Sequence, residues 1–200
     1  MTETLLSPEE HAQSPAGQNR PMTANDPFAR HPVVPSFTVT STTIAEGETL
    51  SGPQMSGLFG VPGGEDRSPQ LSWSGAPAET EGYAVTIYDP DAPTGSGFWH
   101  WTVTGIPASV TELPEGAGDD SGPGLPPGAI QYRNDAGGAR FIGAAPPAGH
   151  GAHRYFINVY ALDTADLGVP AEAPPALVGF NLFGHTIARA QMIVMAGTND

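Results

Sequence analysis

The run Asp89-Pro90-Asp91-Ala92-Pro93 places two carboxylates two residues apart. In extended chain, residues i and i+2 point the same way, so Asp89 and Asp91 can face one cavity. Neighbouring carboxylates cannot both ionise cheaply, so one member of such a pair stays protonated and can donate a hydrogen bond. That chemistry suits general acid–base work or the holding of an anion. Asp and Pro are also ordinary turn formers, and the run taken alone reads more readily as a turn than as a site. His100 and His153 shift that balance, because a histidine near a carboxylate is pushed toward its cationic form. His153 and Tyr155 share one face of a strand-like segment, just after Gly143-Ala144-Ala145-Pro146-Pro147-Ala148-Gly149. A Gly/Pro loop of this kind leaves backbone N–H groups free of bulky side chains, a suitable rim for an anion. The expected network has Asp89, His100 and His153 donating to the anion and Tyr155 adding a hydroxyl. Asp91 orients loop amides or a histidine. His11 and His31 read as solvated, His150 as a rim residue, and His185 as a helix-surface residue.

Other chemistries find less support. Cysteine is absent, which excludes disulfides, thiol catalysis and Cys-ligated zinc. There is no Gly-x-Ser-x-Gly nucleophile elbow and no His-Glu-x-x-His pair. Asp89, Asp91, His100 and His153 are hard and borderline metal ligands, but they are scattered over three segments without motif spacing. No metal, no cofactor and no catalytic residue is therefore expected, and a metal-dependent or acid–base hydrolase is the weaker alternative. The net charge is −14, and all seven basic residues are Arg. That balance argues against nucleic acid, which requires a basic surface, and against a polybasic membrane patch. No apolar run approaches the ~20 residues that span a bilayer, and no signal-like segment opens the chain, so the expected location is the cytoplasm.

The elements that must position these residues are mostly strands. Gly 26 and Pro 22 make up nearly a quarter of the 200 residues, and both disfavour helix interiors. Short runs at 37–40 and 70–74 read as strands. Three stronger ones are Tyr83–Tyr88, Phe98–Thr104 and Arg154–Tyr160, β-branched and aromatic between Gly and Pro punctuation. In the second of these, alternation puts Trp99, Trp101 and Val103 on one face and Phe98, His100 and Thr102 on the other. A long Gly/Pro-rich region runs from 108 to 143. One helix is predicted near 175–189, packing through a stripe of Leu177, Phe180, Gly184 and Ile187, with Met192–Met195 as a last buried strand. The architecture expected is mainly β and antiparallel, with one helix late in the chain. Residues 1–35 have six prolines and no periodicity, and read as a disordered tail ahead of one domain at 36–200. Met22 offers an initiation point, and deleting 1–21 is expected to leave melting and binding unchanged.

The order Asp89-Pro90-Asp91-Ala92-Pro93, Trp99-His100-Trp101, then Gly143…Pro146-Pro147…Gly149…His153-Arg154-Tyr155 resembles the phosphatidylethanolamine-binding protein family, in particular its bacterial Raf-kinase-inhibitor-like branch. The resemblance spans about 36–197. It implies a β-sandwich-like fold and a shallow pocket for phosphate or the phosphorylated head group of a lipid or small molecule. By that likeness the pocket comprises Asp89, Asp91, Pro93, His100, Gly143, Ala144, Ala145, Pro146, Pro147, His153 and Tyr155. Ala145 stands where the family more often has Gly. The resemblance further implies a binding or regulatory protein rather than an enzyme, with a protease- or kinase-inhibitor-like interaction module as the alternative. It also implies a homodimer, as bacterial relatives often form.

Overall fold

In the computed structural model, residues 26–197 are described; 1–25 and 198–200, which hold most of the expected tail and its Met22 start, lie outside them. Residues up to Val33 form one unit and those from Val34 another. In the first, the Asp26 carboxylate accepts the Phe28 N–H at 2.9 Å and the Phe28 ring meets His31 edge-on.

The second unit holds β1 (Thr38–Thr40), β2 (Leu71–Ser74), β3 (Gly82–Asp89), β4 (Phe98–Pro107), β5 (Glu112–Leu113), β6 (Ile130–Gln131), β7 (His153–Leu162), α1 (Pro175–His185) and β8 (Thr186–Ala196). Two antiparallel sheets result, ordered β1-β2-β5 and β6-β4-β3-β7-β8. β3 is buried almost throughout because both its faces are covered. Tyr83, Val85 and Ile87 face a core shared with Leu71 and Trp73 of β2, Leu113 of β5 and Ile157 and Val159 of β7. Ala84, on the other face, packs in a second cluster with Tyr160, Leu162, and Val178 and Leu182 of α1. The mainly β, sandwich-like architecture with one late helix is thus the observed one.

Three local expectations differ from the structure. The helix ends at His185, not near 189, and β8 begins at once with Thr186, well before Met192. β8 pairs with β7 over nearly its full length, and its inward residues at the start are Ala188 and Ala190, too small to announce alternation. The helix buries Val178 and Leu182, spaced i and i+4, and leaves Leu177, Phe180 and Phe183 exposed, so the expected stripe is the solvent side. The third concerns β4. Ile87 pairs with Trp101, but Tyr88 pairs with Trp99, so His100 is an extra residue in the ladder. Such a bulge re-aims side chains. Trp101 enters the core, Trp99 stacks on Tyr88 at 4.4 Å, and His100 turns to the same inner side as Trp101, 5.0 Å from the Tyr155 ring. Strict alternation had separated His100 from Trp101.

Candidate functional site

The bulge and the adjacent strand ends bring distant residues to one place. Asp89 ends β3, His100 sits at the bulge in β4, and His153 and Tyr155 open β7. Together with Ala92, Pro93, Thr94, Phe98, Ala145, Pro146, Pro147 and Phe59 they line a cavity of about 220 Å³. Its floor is polar and its walls are mostly apolar.

Asp89 organises that floor. It is 2% exposed, as is His153. Its Oδ1 accepts the N–H groups of Asp91 (2.7 Å) and Ala92 (3.0 Å). Its Oδ2 accepts from Nδ1 of His153 at 2.8 Å, across 64 residues of sequence. The other nitrogen of His153, Nε2, shares a 2.7 Å hydrogen bond with Nδ1 of His150. Asp89 therefore gathers two loop amides and a histidine, the orienting work expected of Asp91. Asp91, assigned that orienting work, does something else. It accepts the Arg154 N–H, Nε–H and Nη2–H at 3.0, 2.8 and 2.7 Å, and this pairing holds its carboxyl below the ordinary range. It ties the turn to β7 and does not line the cavity. The turn after β3 breaks the extended geometry on which the shared direction of Asp89 and Asp91 depended.

His100 is 5% exposed, and its Nδ1–H donates to the Ile142 carbonyl at 2.8 Å. That leaves Nε2 for a ligand. Burial holds its pKa below the usual histidine value, outweighing the hydrogen bond to Ile142 and the charge of Asp89. The expectation of a cationic histidine is thereby reversed for the empty pocket. Tyr155 is shifted far upward, first by burial and then by the charge of Asp89, so its hydroxyl stays protonated. Behind the two rings lies an apolar void of only about 10 Å³, so the floor backs onto packed core.

The rim divides in the same way. Ala145, Pro146 and Pro147 line the cavity, whereas Gly143 and Ala144 support it from behind. The Gly143 N–H donates to Asp66 Oδ1 at 2.9 Å, and a Cβ on Gly143 would lie 2.3 Å from the Met55 carbonyl carbon. Ala144 bridges Met55, exchanging backbone hydrogen bonds with Gln54 and Ser56.

The sequence and the fold both have counterparts among known proteins. The phosphatidylethanolamine-binding protein family model matches residues 40–196. The chain belongs to that family. The YbcL protein of Escherichia coli K12 is 50% identical over 157 residues, 78% of this chain and 85% of that one. YbhB of the same organism is 46% identical over 132 residues, 66% of this chain and 82% of its own. The crystal structure of E. coli YbcL, described as a member of the mammalian PEBP family, superposes with a TM-score of 0.79 at 48% identity, covering 82% of this chain and 99% of that one.

In this family member, four cavity residues escaped the sequence reading: Phe59, Ala92, Thr94 and Phe98. Phe98 was placed on the His100 face, and Ala92 and Thr94 adjoin a recognised motif. Phe59 carries no spacing signal, since a separate loop brings it in. Among the described residues, no group of three or more His, Asp or Glu is placed to hold a metal ion, which matches the diversion of Asp91 to Arg154. No helix of the described residues is long and apolar enough to cross a membrane.

Proposed function

We propose that this family member is a binding protein, not an enzyme, and that its cavity takes a small phosphoryl or similar oxyanion, as found on the head group of a phosphorylated lipid or small molecule. The observation that carries the reading is the convergence of Asp89, His100, His153 and Tyr155 on the floor of one open cavity with apolar walls. A few converging polar groups in a largely apolar pocket is the usual design of a small-ligand site. The floor has no side-chain nucleophile set against a base: Tyr155 is held protonated, and the Thr94 hydroxyl donates to the Gly97 carbonyl.

Burial disfavours the charged form of His100, so an oxyanion enters together with a proton. That proton rides either on Nε2 or on the anion itself, and the sum is the same. A phosphomonoester loses its second proton near pH ~6, and burial makes His100 give up its proton more readily than an ordinary histidine. Above the ordinary histidine value of 6.5 both free partners therefore lack the proton, so affinity should fall by up to about tenfold per pH unit as pH rises. Isothermal titration with phosphoethanolamine at pH 6, 7 and 8, in buffers of different ionisation enthalpy, reads this directly. Uptake close to one proton per site at pH 8 is expected. Zero uptake at every pH removes the proton-coupled mechanism, and no binding by phosphate, phosphoethanolamine or nucleotides removes the anion reading. Turnover of p-nitrophenyl phosphate that is lost on changing His153 would make the chain an enzyme instead.

A further inference from the structure

The wall residue Phe59 is 55% exposed and its neighbour Leu58 65% exposed. Both sit at the tip of a tight loop that is firmly held. The Phe59 N–H donates to Ser56 Oγ at 3.1 Å, Val61 N–H to the Ser56 carbonyl at 2.8 Å, and Gly64 N–H to the Val61 carbonyl at 2.9 Å. The two limbs touch so closely at Gly57 and Gly64 that a Cβ on either would lie 2.7 Å from backbone of the other. A loop tethered this well does not fold its apolar tip away, so the ring stays at the cavity wall.

Asp66 sets where that wall stands. It is buried, with φ of 53°, a left-handed conformation that non-glycine residues adopt at a cost. One oxygen accepts the Leu58 N–H at 2.7 Å and the other accepts the Gly143 N–H at 2.9 Å. A single buried carboxylate thus spans the apolar loop and the Gly143–Pro147 rim, the two sides between which a ligand enters. Arg140 stands 3.5 Å from it and supplies the compensating charge.

The cavity is also larger than a bare oxyanion needs. On the same measure one water needs about 10–15 Å³, and the cavity offers about 220 Å³. The space beyond the polar floor is bounded by Phe59, Phe98, Pro93, Pro146 and Pro147. Rings and prolines reward apolar, and above all aromatic, contact.

We infer that the ligand of this pocket is an oxyanion carrying an apolar or aromatic substituent, that Phe59 is the residue that selects for the substituent, and that Asp66 is the positioning residue that holds Phe59 and the proline rim at the right separation. This rests on the oxyanion reading above and adds what lies on the other side of the anion.

The test compares inorganic phosphate with phenyl phosphate by isothermal titration. In the unchanged protein phenyl phosphate binds about tenfold more tightly or better, the ratio an aromatic contact of this kind supports. Phe59→Ala brings the ratio close to one, because the phenyl group loses the ring it packs against. Phe59→Trp preserves the preference. Asp66→Gly relieves the left-handed backbone while removing both tethers. It lowers the melting temperature and, in titrations run well below that temperature, weakens both probes at least several-fold, and Asp66→Asn, which keeps one acceptor oxygen, recovers part of that affinity; a merely structural role lowers the melting temperature and leaves the affinities of the folded protein unchanged. A ratio unchanged in Phe59→Ala, or a parent that binds the two probes equally, overturns the inference while leaving the oxyanion reading intact. Asp66→Gly with parental affinities overturns the positioning role. Failure of both probes to bind the parent overturns the oxyanion reading, and this inference falls with it.

Discussion

Asp89→Ala should lower stability by about 3–5 kcal/mol, because it leaves a buried histidine nitrogen and two loop amides without their partner, at about 1–3 kcal/mol for each fully buried group. The mutation removes the 2.8 Å bond to His153, itself 2% exposed, and strands the N–H groups of Asp91 and Ala92. For a domain of this size the loss corresponds to a melting point lower by about 6–20 °C. Asp89→Asn retains the shape and an oxygen for the two loop amides, and replaces only the acceptor facing His153. It should cost less than half as much and weaken oxyanion binding less than Asp89→Ala does. Scanning calorimetry and urea titration decide the matter. A melting point for Asp89→Ala within a degree of the parent would show that this pair does not hold the floor together.

His100→Ala should abolish detectable phosphate binding, a loss of at least about a hundredfold, at a cost to the fold of only about 1–2 kcal/mol for one lost hydrogen bond and a small void. With Nδ1 of His100 held by Ile142 and both nitrogens of His153 engaged, Nε2 of His100 is the histidine nitrogen that the proposal assigns to the ligand. The variant carries a second signature in acid. Burial holds the His100 pKa below 6.5, so the unfolded chain takes up this proton more readily than the folded one. The stabilisation is therefore complete above pH 6.5 and is lost as pH falls below it. Between pH 7 and pH 5, the stability of the parent should fall more steeply than that of His100→Ala. Equal slopes would mean that the ring is not kept neutral, and an unchanged phosphate affinity would move the oxyanion site elsewhere.

The polar floor needs its precise placement because each group has already spent most of its hydrogen-bonding capacity inward. Asp89 serves two amides and a histidine, His153 serves Asp89 and His150, and Tyr155 lies under the influence of Asp89. A preorganised network of this kind would receive the proposed ligand without rearranging. The apolar walls strengthen each of these contacts by excluding water.

Composition, charge and strand alternation are properties of neighbouring residues, and they settled the mainly β class and the place of the helix late in the chain; the candidate polar residues were named from the motif order and the family it resembles. Each of these follows from local preferences that hold before the chain folds: Gly and Pro against helix, β-branched and aromatic residues for strands, histidine and carboxylate as the titratable partners in one motif order. Only the tertiary structure decided which way those residues point. Whether His100 turns in or out depends on the extra residue in the β4 ladder, which exists because β3 pairs with it in that register. The exchange of roles between Asp89 and Asp91 depends on Arg154 arriving from β7, and the end of α1 at His185 depends on β7 offering an edge for Thr186 to join. Phe59 reaches the cavity only because Asp66 and Gly143, 77 residues apart, meet. Contacts at such separations carry no local pattern, because closing them is a transaction of the whole chain: the entropy lost in bringing the segments together is offset only by the core that forms when all of them arrive.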